Sequence, residues 1–253
     1  MSAVFDTTGK QMPQIAYFGK SDVGLKRANN EDAFLLRPDL GFCLVADGMG
    51  GAAAGELASG IFTETALEVF SKTVSRREKE TLDLVQKAFA WANERVLDHV
   101  KDNPEHDGMG CTAELIAFFN EGFVLGHMGD SRTYRLRNGQ LKQLSKDHSF
   151  VQDQVDQGLI SQAEARNHPM RNIVLRAVGV KESLALDLVR GKATPGDLFL
   201  LCSDGLTDMI DDTLIEDVLF PKSALPQKVE RLIELAKSAG CFDNITVVLA
   251  EVT

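Results

Sequence analysis

The chain has 253 residues, 44% of them hydrophobic and 25% charged, with a formal net charge of −10. This is ordinary globular composition, and a chain this long buries a sizeable core without disulfide staples. The acidic balance excludes broad nucleic-acid binding, which needs a basic face, and no apolar run reaches the length of a membrane span.

Residues 1–13 lack a basic stretch followed by an apolar core, so no signal peptide is expected. They read as a flexible N-terminal extension to one domain covering 14–253. Composition marks strands at 15–21, 33–37 and 42–46. Two helical patterns follow. Leu57, Ile61, Ala66, Val69 and Phe70 keep one apolar face, and Leu82, Val85, Phe89, Ala92, Val96 and Val100 keep another. Ser75 and Glu78 suit a capping box before the second helix. Strands return at 112–119, 122–128, 132–137 and 140–144, with turn signals at Asn120–Gly122 and Asn138–Gly139. Region 147–180 is mixed, with short helical pieces, one opened by Ser161 and Glu164. Strands at 184–189 and 197–202, a helix at 225–238 and a strand at 245–250 complete the chain. Strands outnumber helices, and the helices cluster in two places. That favours antiparallel sheets covered by helices over alternating βαβ units.

Cys43, Cys111, Cys202 and Cys241 are widely spaced and form no C-x-x-C pair. Three of them sit in or beside apolar runs and read as small hydrophobes, in a reduced, cytoplasmic-type protein where no structural zinc is expected. DGMG occurs at 47–50 and again at 107–110, but the flanks differ and no duplication is inferred.

Gly48, Gly50 and Ala53 match the G-x-G-x-x-A dinucleotide fingerprint. That fold needs a strand after the first helix, and here SRREKE and a second helix follow instead. Asp47 offers a different reading. A carboxylate at a strand end, followed by glycines, reaches a metal while the backbone turns tightly around it, and the Gly48 carbonyl supplies a further oxygen. The plain alternative is a turn or helix-capping aspartate.

The placement recurs. Asp130 follows FVLGHMG, Asp204 follows DLFLLCS, and Asp243 stands just before ITVVLAEV. Sheets gather strand ends, so four such carboxylates can converge, and their mutual repulsion calls for cations. Oxygen donors of this kind suit Mg²⁺ and Mn²⁺. The segment from Ser21 to Asp32 adds Arg27, a fork donor matched to phosphate oxygens, and Glu31 and Asp32, which suit hydrogen bonds to metal waters.

With these motifs in hand, the sequence resembles the metal-dependent serine/threonine protein phosphatases of the protein phosphatase 2C type, especially the single-domain bacterial kind. SDVGLKRANNEDAF, LVADGMGG, MGCTAE, GHMGDSRTYRL, KDHS, NHPMRN, LLCSDGLTD and FDNITVV stand in the family's order across roughly residues 15 to 250. The resemblance implies an α+β fold, a four-layer α-β-β-α sandwich of two antiparallel sheets flanked by helices, with metals at one end. It implies that Asp47 bridges two Mn²⁺ or Mg²⁺ ions. Asp204 and Asp243 would complete one ion and the Gly48 carbonyl would help hold the other. Asp130, with Asp204, would hold a third, looser ion. Arg27 would grip the substrate phosphate, and Glu31 and Asp32 would orient metal waters. The activity implied is hydrolysis of phosphoserine and phosphothreonine monoesters without a covalent enzyme intermediate. The partners implied are phosphorylated proteins and an opposing serine/threonine kinase; no nucleic acid or membrane partner is expected, and the chain reads as a monomer.

Two departures bear on the leaving-group proton. Met49 and Ala52 stand where some relatives carry histidine, which leaves a metal-bound water as the first choice of acid and His127 or His148 as alternatives. Region 147–180 resembles the family's flap beside the site and is expected to influence substrate choice. A pseudo-phosphatase acting as a binding module would need a missing ligand, and none is missing. A nucleotide-binding protein is disfavoured by the absent second strand.

Overall fold

The computed structural model describes residues 14–50, 54–72 and 77–253. In chain order the strands are β1 (Ile15–Asp22), β2 (Asp32–Arg37), β3 (Phe42–Met49), β4 (Gly110–Cys111), β5 (Ala113–Phe119), β6 (Gly122–Met128), β7 (Arg132–Arg137), β8 (Gln140–Gln143), β9 (Asp187–Lys192), β10 (Leu198–Cys202) and β11 (Ile245–Val252). The helices are α1 (Ala54–Ser71), α2 (Glu78–Asp102), α3 (Phe150–Asp156), α4 (Gln162–Arg166), α5 (Asp204–Thr207), α6 (Asp212–Leu219) and α7 (Leu225–Ser238). One sheet runs β1-β11-β10-β7-β8 and the other β2-β3-β5-β6-β9, with β4 added beside β3. Every pairing is antiparallel.

The central strands are apolar throughout because both of their faces are covered. Side-chain alternation divides each between two cores. In β3, Phe42, Leu44 and Ala46 face α1 and α2, while Cys43 and Val45 face the opposite sheet. In β10, Leu198, Leu200 and Cys202 face α5–α7, while Phe199 and Leu201 point inward. Phe199 meets Phe118 and Phe123 edge-on across the sheets, at centroid distances of 5.4 and 4.9 Å. The layers are therefore helix, sheet, sheet and helix. All four cysteines are buried and unpaired.

Most elements fall where the periodicity places them, and the Ser161–Glu164 capping box is present. Ser75 of the other expected box lies outside the described residues. The strand expected at 184–189 is β9, at 187–192. Leu184 and Leu186 mimic a strand's alternation but pack against the α1–α2 core from the loop before it. Helices α5 and α6 were not expected. Asp211 opens α6 by accepting the Leu214 N–H at 2.9 Å. The two DGMG segments, unrelated as repeats, meet in space: Met49 pairs with Gly110 and Gly48 with Cys111.

Register decides which ends gather. Asp32 lies directly opposite Asp47 in the β2–β3 pair. Asp22 pairs with Ile245, which sets Asp243 at the same end. Cys202 pairs with both Val247 and Arg132, so Asp204 and Asp130 emerge there too. The Thr112 N–H donates to the Asp47 carbonyl at 2.8 Å and ties the second sheet's tip together.

Candidate metal centre

Asp47, Asp130, Asp204 and Asp243 all line one cleft of about 350 Å³, together with Arg27, Glu31 and Gly48. Asn172 and Val174, from the 147–180 segment, close its other side. Asp32 stands immediately behind. Its Oδ2 accepts from Ser203 Oγ at 2.8 Å and from Thr246 Oγ1 at 2.6 Å. Seven of the eight residues singled out from the sequence thus share one cleft, and the eighth supports it.

The electrostatics are those of a crowded anionic site. Burial, then the charges of Asp32, Asp204, Asp130 and Asp243, push Asp47 well above the usual carboxylate range. Burial and Asp130 do the same to Asp204. Asp130 is pushed up to about 7 by burial, Asp147 and Asp208, and Asp32 to about 6, chiefly by burial. Asp32 Oδ1 and Asp204 Oδ1 are buried with no hydrogen-bond partner. Bare carboxylate oxygens of this kind are costly, and either protons or cations relieve them.

The donor set fits hard cations. Among the described residues, no three Asp, Glu, His or Cys side chains close into a metal cage by themselves. Ions that keep several waters and take only a few carboxylates suit an open arrangement of oxygen donors. The backbone around Asp47 is equally constrained. A Cβ on Gly48 would lie 2.1 Å from the Gly55 carbonyl oxygen, and one on Gly205 would lie 1.9 Å from that of Asn244. Glycine is required at both positions for the chain to pass so close to the carboxylates.

At the rim, Arg27 Nη2 donates to Asp243 Oδ2 at 2.8 Å, and half of its side chain is exposed. The guanidinium thus faces the cleft with donors to spare. Asn244 holds the approach loop: its Oδ1 accepts from Glu31 N–H at 2.8 Å, and its Nδ2 donates to the Val23 and Asn29 carbonyls.

Sequence reasoning missed Ser203, Thr246, Thr112 and Asn244. Each adjoins a named aspartate or strand tip, in the CSDG, DNIT and GCTAE stretches, and that adjacency was the available signal. Histidines 127 and 148 lie outside the cleft. His127 is fully buried, with Nδ1 on the Glu114 carboxylate and Nε2 at 2.8 Å from the Lys146 carbonyl. Its role is structural.

Comparison with known proteins now decides the family. The model for protein phosphatase 2C matches residues 25–243, a span that runs from just before Arg27 to Asp243. The chain belongs to the protein phosphatase 2C family. It is 40% identical over 239 residues to the serine/threonine protein phosphatase PstP of Mycobacterium tuberculosis, covering 94% of this chain and 45% of that one. The chain thus spans about half the length of that relative. It is 36% identical to the serine/threonine phosphatase stp of Listeria welshimeri, covering 92% of this chain and 94% of that one. The solved catalytic domain of PstP, in complex with two manganese ions, superposes with a TM-score of 0.86 at 37% identity, covering 94% and 98% of the two chains. The α-β-β-α sandwich is therefore the protein phosphatase 2C fold in this chain.

Proposed function

We propose that the protein is a metal-dependent hydrolase that removes phosphate from phosphoserine and phosphothreonine in proteins. The observation that carries this reading is the gathering of Asp47, Asp130, Asp204 and Asp243 at one cleft, with bare buried oxygens on Asp204 and on Asp32 behind it. The two manganese ions of the PstP catalytic domain support Mn²⁺ or Mg²⁺ as the occupants. Asp47, the Gly48 carbonyl, Asp204 and Asp243 would hold two ions, and Asp130 with Asp204 a third. When bound, the ions supply Lewis acidity, lowering the pKa of water and neutralising phosphoryl charge.

The chain's own groups do the rest. Asp32, clamped by Ser203 and Thr246, presents one free oxygen toward the strand tips and, with Glu31, orients water there. Arg27 moves from Asp243 onto two phosphate oxygens and aligns the ester for in-line attack. The leaving-group proton comes from water, since His127 and His148 both lie outside the cleft.

Among the described residues no helix is long and apolar enough to cross a membrane. We place the protein in the cytoplasm, acting as a monomer on proteins phosphorylated by a serine/threonine kinase. We also propose residues 14–253 as the catalytic domain, with 147–180 as its flap; residues 1–13, read from the sequence as an extension, lie outside the described residues.

The test is phosphopeptide hydrolysis with Mn²⁺, with chelator, and with the Asp204→Asn variant. The expected result is activity with Mn²⁺ and none in the other two. Full activity in chelator sinks the mechanism. An intact protein that is inert with Mn²⁺ would instead mark a phosphopeptide-binding module.

A further inference from the structure

His148 stands where the carboxylate tips meet the 147–180 segment. Its backbone N–H donates to the Gly129 carbonyl at 2.7 Å, and the Gly129 N–H donates back to its Nδ1 at 3.2 Å. Gly129 has a φ of +116°, and a Cβ there would lie 2.4 Å from the Thr112 side chain. Glycine alone fits, and glycine alone does not hold itself in one conformation. The next residue is Asp130.

The same histidine holds the other wall. Its carbonyl accepts the Leu175 N–H at 2.7 Å, and Ser149 beside it bridges to Val174, which lines the cleft. Its Nε2 lies 3.3 Å from Asp187 Oδ2 and 3.2 Å from Arg176 Nη1, and that guanidinium reaches Asp187 Oδ1 at 3.3 Å. His127 covers the ring at 4.5 Å between centroids.

The Gly129 N–H fixes the tautomer of a neutral ring. Nδ1 accepts from Gly129, so a neutral ring carries its proton on Nε2, facing Asp187, and the Arg176 guanidinium, itself only a donor, bonds to Asp187 and not to the ring. Asp187 then takes both that proton donor and Arg176. Burial, and next the neighbouring His127, push the His148 pKa down to about 4, which agrees with a neutral ring.

We infer that His148 is a positioning residue whose ring holds the Gly129–Asp130 turn and, through Asp187, Arg176, while its carbonyl holds Leu175, so that the Asp130 edge of the site and the flap wall of the cleft hold their places together. Its consequence for catalysis rests on the phosphatase reading; the clamp itself does not.

The experiment compares the full chain with His148→Leu, His148→Asn and Asp187→Ala. Two readouts are taken: Mn²⁺ occupancy, from the paramagnetic resonance of unbound Mn²⁺, and amide hydrogen exchange. Leucine removes the Nδ1 acceptor. Asparagine places Oδ1 where Nδ1 was and restores it. For His148→Leu, the Mn²⁺ concentration for half-occupancy should rise roughly 10- to 100-fold, the range for groups that orient metal ligands. Exchange should quicken at 129–131 and 174–176 together. His148→Asn should stay within about threefold of the parent in Mn²⁺ affinity, a smaller loss than that range. Asp187→Ala, a partly exposed change that keeps the fold testable if leucine does not, should loosen both segments in the same direction by less. Equal losses for asparagine and leucine, or loosening of one segment alone, overturns the clamp. A parent protein that binds Mn²⁺ and shows the coupled exchange, yet hydrolyses no phosphopeptide, keeps the clamp and removes the phosphatase reading.

Discussion

On one side of the cleft, Asp47 and Asp204 stand at strand ends, half-buried among like charges and braced from behind by Asp32. On the other side, Asn172 and Val174 belong to a stretch whose neighbours Met170, Ile173 and Leu175 are each more than 40% exposed. The first wall accepts electrostatic strain because hydrogen-bonded sheet holds it in place. The second leaves apolar side chains uncovered because little packs over them. Fixed geometry suits charge stabilisation, while exposed apolar groups suit contacts that vary from partner to partner. Each wall makes a separate prediction, and the two break in different ways.

The largest effect belongs to the strained wall. Asp47→Asn keeps the shape and removes one charge from the cluster. In chelator, the variant should be more stable than the parent, by roughly 2–6 °C in Tm, because a buried repulsion is gone. With Mn²⁺, the parent should gain stability by mass action and the variant should not. Phosphopeptide hydrolysis should fall about a thousandfold, the upper range for losing a preorganised electrostatic group. Calorimetry and a steady-state assay decide it. A variant less stable than the parent in chelator would mean that Asp47 is a structural turn residue.

Beneath that wall lies a different buried charge. Glu114 receives the Thr133 hydroxyl and His127 Nδ1 in the core between the sheets' tips. Burial alone would lower the His127 pKa, but Glu114 outweighs it and holds it at about 9, while burial raises Glu114. Both directions mean that the folded pair keeps a proton which the unfolded chain releases. The His127 part of the stabilisation is complete below the ordinary histidine value of 6.5 and is lost as pH rises through about 9. Its size is on the order of 3 kcal/mol. Tm measured from pH 6.5 to 9.5 should fall by several degrees, and Glu114→Gln should flatten the slope. An unchanged slope in that variant would place the titration elsewhere.

The two walls were unequally legible in the sequence. Asp47, Asp130, Asp204 and Asp243 were visible because an apolar run followed or preceded by aspartate and glycine marks a strand tip, and sheets bring tips together. The hydroxyls on Asp32 were not visible. Ser203 and Thr246 come from segments 43 residues apart, and only the β10–β11 register sets them on one carboxylate. Leu184 and Leu186 show the opposite failure: a period-2 pattern that belongs to a loop packed on helices. The flap was readable as a region but not in its contacts, because short helices such as α4 carry little periodicity.

The smallest effect tests the flap wall. The Ile173 side chain is 44% exposed, while its backbone carbonyl accepts the Phe150 N–H and holds the segment. Ile173→Ser changes the surface and leaves that bond intact. Tm should move by no more than about 2 °C, since little burial is lost. The ratio of kcat/KM between two phosphopeptides of different flanking sequence should shift roughly 3- to 10-fold, which is near 1 kcal/mol of differential contact. Hydrolysis of p-nitrophenyl phosphate, which has no flanking residues to meet the flap, should be unchanged. If the small ester and both peptides slow in parallel, Ile173 acts through the carboxylate wall, and the two sides of the cleft are one mechanical unit even without a change at His148.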